Sequence, residues 1–320
     1  MNKYQEIIQA LAGQRILVTG HLTPDADCVS AMLALYQAFD GQKKGWQLVL
    51  EDDINFNLRY LPGCELIKKP QDLNAEVDAV LLVDCHESSR ASTGWLDIYA
   101  DKPLYVIDHH RGQNVKADVL VLDPHSSAAA LLVYQIIKTA RQPLTTEIAL
   151  LLYSGIVADT GCFRFSNTNK ATFEAAADLI DYDVDLQLVR INLFERRSLA
   201  NTKIIAAALT GLELFHEGRL CLLSVDLATK KAVQAMENDC GNVVGNALMI
   251  EGVKFGFFLE ERLEGIKVSM RCREGYSVDD LAASCGGGGH AKAAGCTINT
   301  SLAEAKEILV AAVGKVLKEG

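Results

Sequence analysis

No apolar run in this 320-residue chain approaches the ~20 residues that cross a bilayer. Segments such as 79–83 and 150–152 stop far short of it, so a membrane span is excluded. The N-terminal stretch MNKYQEIIQALAG mixes acid, base and amide with apolar residues at helical spacing and lacks the uninterrupted apolar core of a signal peptide, so a cytoplasmic protein is expected. CxxC pairs are also lacking. Nine cysteines lie scattered from Cys28 to Cys296, and an odd number cannot all pair within one chain, which points to reduced thiols in a reducing compartment. Positive charge is scarce: 31 Lys and Arg against 41 Asp and Glu leave a net charge of −10, which opposes binding to long polyanions. Any phosphate ligand is therefore expected to be short. There is no GxxxxGK[ST] motif, against a P-loop nucleotidase, and no internal repeat or low-complexity tract.

What is present is a folding sequence. Hydrophobic residues make up 49% and charged residues 22%, enough apolar surface for a packed interior, and the length exceeds what one core usually holds. Two domains are expected. In the first half, the apolar runs RILVT (15–19), WQLVL (46–50), AVLLV (79–83) and LYVI (104–107) alternate with helical patterns, one of them from about 27 to 39. Short buried runs separated by amphipathic helices predict a doubly wound parallel sheet, an α/β domain. Helices are predicted over 127–139 and 145–157, with Asp-Thr-Gly at 159–161 as a helix stop. From about 211 the pattern changes to strands in pairs, LELFHEGRLCLLSV and VKFGFFLEERLEGIKVSMR, then a helix, a glycine run and a terminal helix, which together read as a smaller α+β unit. The expected division is a catalytic domain over 1–192, a helical connector over 193–210 and a substrate-binding domain over 211–320.

Three of the apolar runs lead into polar residues able to carry chemistry: His21, Asp25 and Asp27 in HLTPDAD, Asp84 after AVLLV, and Asp108, His109 and His110 after LYVI. Ligands of open α/β sheets bind beyond the carboxyl ends of the strands, so these segments should converge on one crevice. Each has a plainer reading. Asp27 suits a helix cap, Asp84 as a single Asp at a strand end is weak evidence alone, the DHH triplet suits an exposed loop, and Asp159 in GIVADTG suits a helix end. Together they supply imidazoles and carboxylates fit for a pair of hard divalent ions, with Asp108 behind them orienting an imidazole. Oxygen-rich ligation with imidazole favours Mn²⁺, with Mg²⁺ or Co²⁺ as substitutes, over thiolate-held Zn²⁺. Cys28, Cys85 and Cys162 each neighbour a proposed ligand, and their positions read as small packing residues. Two such ions ~3.5 to 4 Å apart activate water and clamp the attacking and leaving oxygens at phosphorus, so the expected reaction is phosphate-ester hydrolysis.

In the second domain the run CGGGGHAKAAG holds Gly286, Gly287, Gly288, Gly289 and His290. Its backbone N–H groups could form an anion nest, against the plainer reading of a flexible turn. Arg271, at the end of a predicted strand, is a candidate phosphate clamp or a solvated strand-end arginine.

HLTPDAD, VDCHESSR, IDHHRGQN, GIVADTGCFRFSNT and GGGGHAKAAG, in this order, resemble the motifs of the DHH/DHHA1 phosphoesterase family over nearly the whole chain. Within it, the chain is similar to the stand-alone enzymes that degrade very short RNA (nanoRNA) and dephosphorylate 3′-phosphoadenosine 5′-phosphate (pAp). The resemblance implies one metal on His21, Asp25 and Asp84 and a second on Asp27, Asp84, His109 and Asp159, with Asp84 bridging. It implies His110 facing the scissile phosphate, and Arg271 with the 286–290 loop binding the 5′-side phosphate or terminal nucleotide across a cleft that closes on a hinge. It further implies a homodimer acting on short RNA and small nucleotides. Two features depart from the pattern: Ala26-Asp27 and Ser30-Ala31 replace Gly-Asp and Gly-Ser, and His86 is not anticipated by the family. Alternatives from the same resemblance are linear or cyclic dinucleotide hydrolysis (pGpG, pApA) and pyrophosphate hydrolysis, the latter disfavoured by the glycine loop. A RecJ-type exonuclease would need a longer chain. A nucleotide sensor without turnover would have lost metal ligands, and none is missing.

Overall fold

The structure, a computed structural model, describes residues 2–73, 76–86, 91, 99–110, 112 and 116–319, apart from the side chains at 237, 238, 290 and 319. Residues 87–90 of VDCHESSR, 111, 113 and 114 of IDHHRGQN and the His290 side chain thus lie outside the described residues. The chain divides into two compact units, Met1–Arg196 and Arg197–Gly320.

The first unit is built on β1 (Ile16–Thr19), β2 (Gln47–Val49), β3 (Ile67–Lys68), β4 (Ala79–Val83), β5 (Leu104–Asp108) and β6 (Val119–Leu122), all paired in parallel in the order β3-β2-β1-β4-β5-β6. Every residue of β1 and β4 is buried, as expected of central parallel strands covered on both faces. The helices are α1 (Lys3–Ala10), α2 (Ala26–Ala38), α3 (Ala129–Thr139), α4 (Thr146–Asp159) and α5 (Lys170–Ile180). Helix α2 is buried continuously from Ala26 to Leu35 and packs against α3 and α4, because its apolar and small residues run round the whole circumference. The strand order reverses between β1 and β4, and this switch point is where an open α/β sheet forms its crevice. The doubly wound parallel sheet expected from sequence is therefore present. The run VLVL at 119–122 is an additional strand that sequence periodicity did not separate from its loop, being four residues bounded by Asp118 and Asp123.

The second unit opens with α6 (Leu199–Thr210) and carries a mixed sheet of β7 (Glu213–Phe215), β8 (Leu220–Val225), β9 (Phe255–Arg262), β10 (Gly265–Cys272), β11 (Gly288–His290) and β12 (Ala293–Ile298), in the order β11-β12-β10-β9-β8-β7. Helices α7 (Asp279–Ser284) and α8 (Leu302–Glu319) follow β10 and β12, and a short helix over Leu227–Ala232 lies between β8 and β9. β7 with β8 and β9 with β10 pair antiparallel, as the two turn-centred apolar stretches suggest. The stretch read as a connector, 193–210, falls on both sides of the boundary, and its α6 portion packs Ile204, Ile205 and Ala208 into a core cluster of the second unit. Among the described residues no helix is long and apolar enough to cross a membrane.

Candidate metal centre

The polar residues beyond β1, β4 and β5 and at the end of α4 converge. Asp84 follows β4 with a backbone φ of +58°, in the left-handed region that Asp tolerates better than most non-glycine residues. This bend, anchored by Asp84 N–H donating to Ile107 O at 2.9 Å, turns the carboxylate into the crevice. It is 2% exposed, and its two oxygens face opposite ways. Oδ2 lies 3.5 Å from His21 Nε2, while Oδ1 lies 3.4 Å from His109 Nε2 and 3.5 Å from His110 Nδ1.

Around these oxygens two further sets form. His21 Nε2 lies 3.8 Å from Asp25 Oδ1, so His21, Asp25 and Asp84 make one group. His109 Nε2 lies 3.8 Å from Asp27 Oδ2 and 3.5 Å from Asp159 Oδ2, which makes a second. The helix-cap role weighed for Asp27 falls instead on Asp25, whose Oδ1 accepts from the N–H groups of Asp27 and Cys28 at 2.9 and 3.1 Å at the start of α2. Asp27 sits one turn deeper and accepts the N–H groups of Ala129 and Ala130 at 2.6 and 2.9 Å, at the positive end of α3. Asp159 is both the last residue of α4 and a member of the cluster, steadied by Asn167 Nδ2 donating to its main-chain O at 3.1 Å.

The donor set suits divalent cations. His21 Nδ1 lies 2.7 Å from Leu22 O and His109 Nδ1 3.2 Å from Ser126 O, so each carbonyl draws the ring proton to Nδ1 and leaves Nε2 as the ligating nitrogen. Both Nε2 atoms point at carboxylates, an arrangement that favours a positive charge between them. Asp84 Oδ1, though buried, has no hydrogen-bond partner of good geometry among the described residues, as suits an oxygen available to a cation.

Electrostatics agree. Burial lowers the His21 and His109 imidazoliums, but the facing carboxylates outweigh it and hold both up at about 10. Burial and the charge on Asp84 push Asp27 well above the usual carboxylate range, and burial leads the rise of Asp159 to about 7. Asp84 is held well below that range: burial would raise it, and the imidazoles facing it prevail. Thiolate takes no part: burial pushes the Cys28 thiol far up, and its Sγ packs against the backbone of Gly20, where a methyl group would lie 2.1 Å away. Cys28 and Cys85 are buried packing residues as expected, but Cys162 is exposed in the turn after α4, with φ +59°.

Asp108 is fully buried behind the cluster. Its Oδ1 accepts from His110 Nδ1 at 2.8 Å and from the N–H groups of His109 and His110 at 2.7 and 3.1 Å, and its Oδ2 accepts from His86 Nδ1. Sequence reasoning left His86 without a role. Ala129, Ala130 and Gly155 were missed because their contribution is a main-chain N–H or the lack of a side chain, neither of which is visible as a motif.

In the second unit, the tetraglycine run is not an open nest. Gly286, with φ +76°, makes a turn, and Gly288–His290 form β11 at the sheet edge, in register with Gly295, Ala294 and Ala293 of β12. A methyl group on Gly287 would lie 2.1 Å from Gly295 O and one on Gly289 2.5 Å from Ala294 Cα, so close strand packing demands these two glycines. A methyl group on Gly286 or Gly288 would meet nothing within 4 Å among the described residues. Arg271 pairs with Ala293 in register, is half-buried, and donates Nη1 to Met270 O at 2.9 Å; burial lowers its pKa.

Comparison with known proteins agrees with this architecture. The DHH family N-terminal domain matches residues 15–156, and the DHHA1 domain matches residues 225–319. The chain is 32% identical to the bifunctional oligoribonuclease and PAP phosphatase NrnA of Thermus thermophilus, over 99% of this chain and 94% of the relative. It is 26% identical to the cyclic-di-AMP phosphodiesterase GdpP of Geobacillus thermodenitrificans, over 96% of this chain and 48% of that one. A crystal structure of an exopolyphosphatase-related protein from Bacteroides fragilis shares the fold, with a TM-score of 0.90 at 22% identity over 99% of this chain and 97% of that one. A parallel sheet with His, Asp and DHH segments at its switch point, a second unit with a glycine-rich edge strand, and these matches place the chain in the DHH family, with a DHH domain followed by a DHHA1 domain.

Proposed function

We propose that the chain is a two-metal phosphoesterase that hydrolyses short RNA oligonucleotides to mononucleotides and removes the 3′-phosphate of pAp. The observation that carries the proposal is Asp84, a buried carboxylate whose two oxygens face two separate His/Asp groups. His21, Asp25 and Asp84 would hold one divalent cation and Asp27, Asp84, His109 and Asp159 the other, Mn²⁺ first, with Mg²⁺ or Co²⁺ as substitutes. Bound there, such a pair supplies Lewis acidity at phosphorus and lowers the pKa of water. His110, with Nδ1 tied to Asp108, is the residue proposed to face the scissile phosphate and hold or move a proton through Nε2. Asp108 keeps that ring in one orientation.

Short substrates follow from the charge of −10, which offers no extended basic surface for a long strand. Arg271, Gly286, Gly287, Gly288, Gly289 and His290 are proposed to bind the 5′-side phosphate or terminal nucleotide. The full-length similarity to the Thermus thermophilus relative supports the substrate assignment. The nine free thiols support a reducing, cytoplasmic setting.

The test is hydrolysis of a labelled RNA dinucleotide and of pAp by wild type and Asp84→Ala in Mn²⁺. Release of mononucleotide and phosphate by wild type alone is the expected result; absence of turnover on both by wild type overturns it. The similarity to the Geobacillus phosphodiesterase favours a second reading, hydrolysis of linear or cyclic dinucleotides, so pApA, pGpG and cyclic-di-AMP belong on the same panel.

A further inference from the structure

Asp108 is shared by two imidazoles. His110 Nδ1 takes Oδ1 at 2.8 Å together with two backbone N–H groups, and His86 Nδ1 is the partner of Oδ2 among the described residues. His86 sits two residues beyond Asp84 on the loop after β4, whereas Asp108 closes β5, so the contact joins the two loops that frame the crevice. The ring of His86 is lodged against Gly112, where a methyl group would lie 2.0 Å from its Nε2. That Nε2 is buried and has no hydrogen-bond partner among the described residues. An apolar side chain of similar volume would fill the same space. What it would lose is the hydrogen bond to Asp108, the one that His86 makes among the described residues.

We propose that His86 is a positioning residue for His110. By donating Nδ1–H to Asp108 Oδ2 it holds the carboxylate in the rotamer whose Oδ1 receives His110 Nδ1–H. This fixes the His110 ring and its tautomer, with the ring proton on Nδ1. Terminal torsions of Asp are broad and two-fold, so a buried carboxylate with a donor on one oxygen alone is less well oriented than one gripped at both. Gly112 belongs to the same device, because any side chain there would push the His86 ring off Asp108. The proposal rests on the phosphoesterase reading above and concerns how that site is kept in order.

The experiment compares wild type with His86→Phe, which keeps the bulk and loses the donor, His86→Asn, whose amide can still donate to Asp108, and Gly112→Ala, which displaces the ring without removing any ionisable group. Turnover of the RNA dinucleotide is measured in Mn²⁺, and imidazole nitrogen chemical shifts of histidine-labelled, metal-free protein report the His110 tautomer. The expected result is a ~10- to 100-fold loss of kcat in His86→Phe, the range for an outer contact of a metal site, with KM and Mn²⁺ affinity unchanged. Gly112→Ala should match it, the double variant should be no worse than either, and His86→Asn should recover most of the loss. In the metal-free protein, His110 should hold its proton on Nδ1 in wild type and in His86→Asn and become mixed in His86→Phe. An unchanged tautomer and kcat in His86→Phe overturn the proposal, as does a loss shared equally by His86→Asn and accompanied by loss of Mn²⁺ binding. If wild type turns over neither the dinucleotide nor pAp, the functional reading fails, and the tautomer comparison still decides the role of His86.

Discussion

A methyl group on Gly155 would lie 2.8 Å from Oδ1 of Asp27. The same methyl would meet the Cβ of Ala130 at 2.6 Å, so the absence of a side chain in the middle of α4 is what lets the buried carboxylate settle against the start of α3. Glycine within a helix normally costs about 1 kcal/mol relative to alanine. Here the sign should reverse: Gly155→Ala is expected to destabilise the first unit by ~1–3 kcal/mol through overpacking and to weaken the second cation site. Thermal unfolding and Mn²⁺ titration of the variant check both.

Asp84 serves both groups, so its loss should differ from the loss of any other single ligand. Asp84→Ala is expected to reduce Mn²⁺ affinity and turnover by more than about 100-fold, beyond the range of an outer contact. Asp25, 58% exposed in its side chain and on the rim, should cost less when replaced by Asn. Calorimetric Mn²⁺ titrations of the two variants, run with turnover assays, separate these outcomes.

The imidazoles set a pH dependence. His21 and His109 are raised from an ordinary 6.5 to about 10 by the carboxylates they face. Between those values the folded, metal-free protein binds more protons than the unfolded chain, so their contribution is fully present below pH 6.5 and lost as pH rises through about 10. Mn²⁺ should reverse the trend, because cation binding needs both Nε2 atoms unprotonated and therefore strengthens with pH. Urea unfolding of chelator-treated and Mn²⁺-loaded protein across this range shows whether the two slopes have opposite sign.

The glycine run offers a separation of folding from ligand contact. Gly289→Ala meets β12 at van der Waals-forbidden distance with φ +147°, and is expected to destabilise the second unit by at least ~1–3 kcal/mol. Gly288→Ala points into open space and should change stability by less than about 0.5 kcal/mol. A loss of pAp binding in Gly288→Ala at unchanged stability would assign that glycine to the ligand; unchanged binding would remove it from the proposed contact set.

The parallel sheet was legible because AVLLV and RILVT are short, uninterrupted apolar runs with helical periodicity between them. VLVL at 119–122, the edge strand Gly288–His290 and its neighbour Ala293–Ile298 were not, since short runs and glycines carry no period, and their place in a sheet is supplied by tertiary pairing. Cys162 likewise read as a small packing residue from its chain position, while the turn after α4 leaves it exposed.

By itself the sequence determined the chemistry on offer: imidazoles and carboxylates at the ends of apolar strands, no CxxC pairs, a net negative charge and no membrane-length run. The tertiary structure decided how those groups are used. It made Asp25 the helix cap and Asp27 the deep carboxylate, turned the two oxygens of Asp84 toward different imidazoles, and set His86 behind Asp108. The physical reason is that residue type fixes which atoms can donate or accept. Orientation, tautomer and burial depend on main-chain groups and empty spaces, such as the Ala129 N–H, Leu22 O and the bare face of Gly155, that only folding brings alongside.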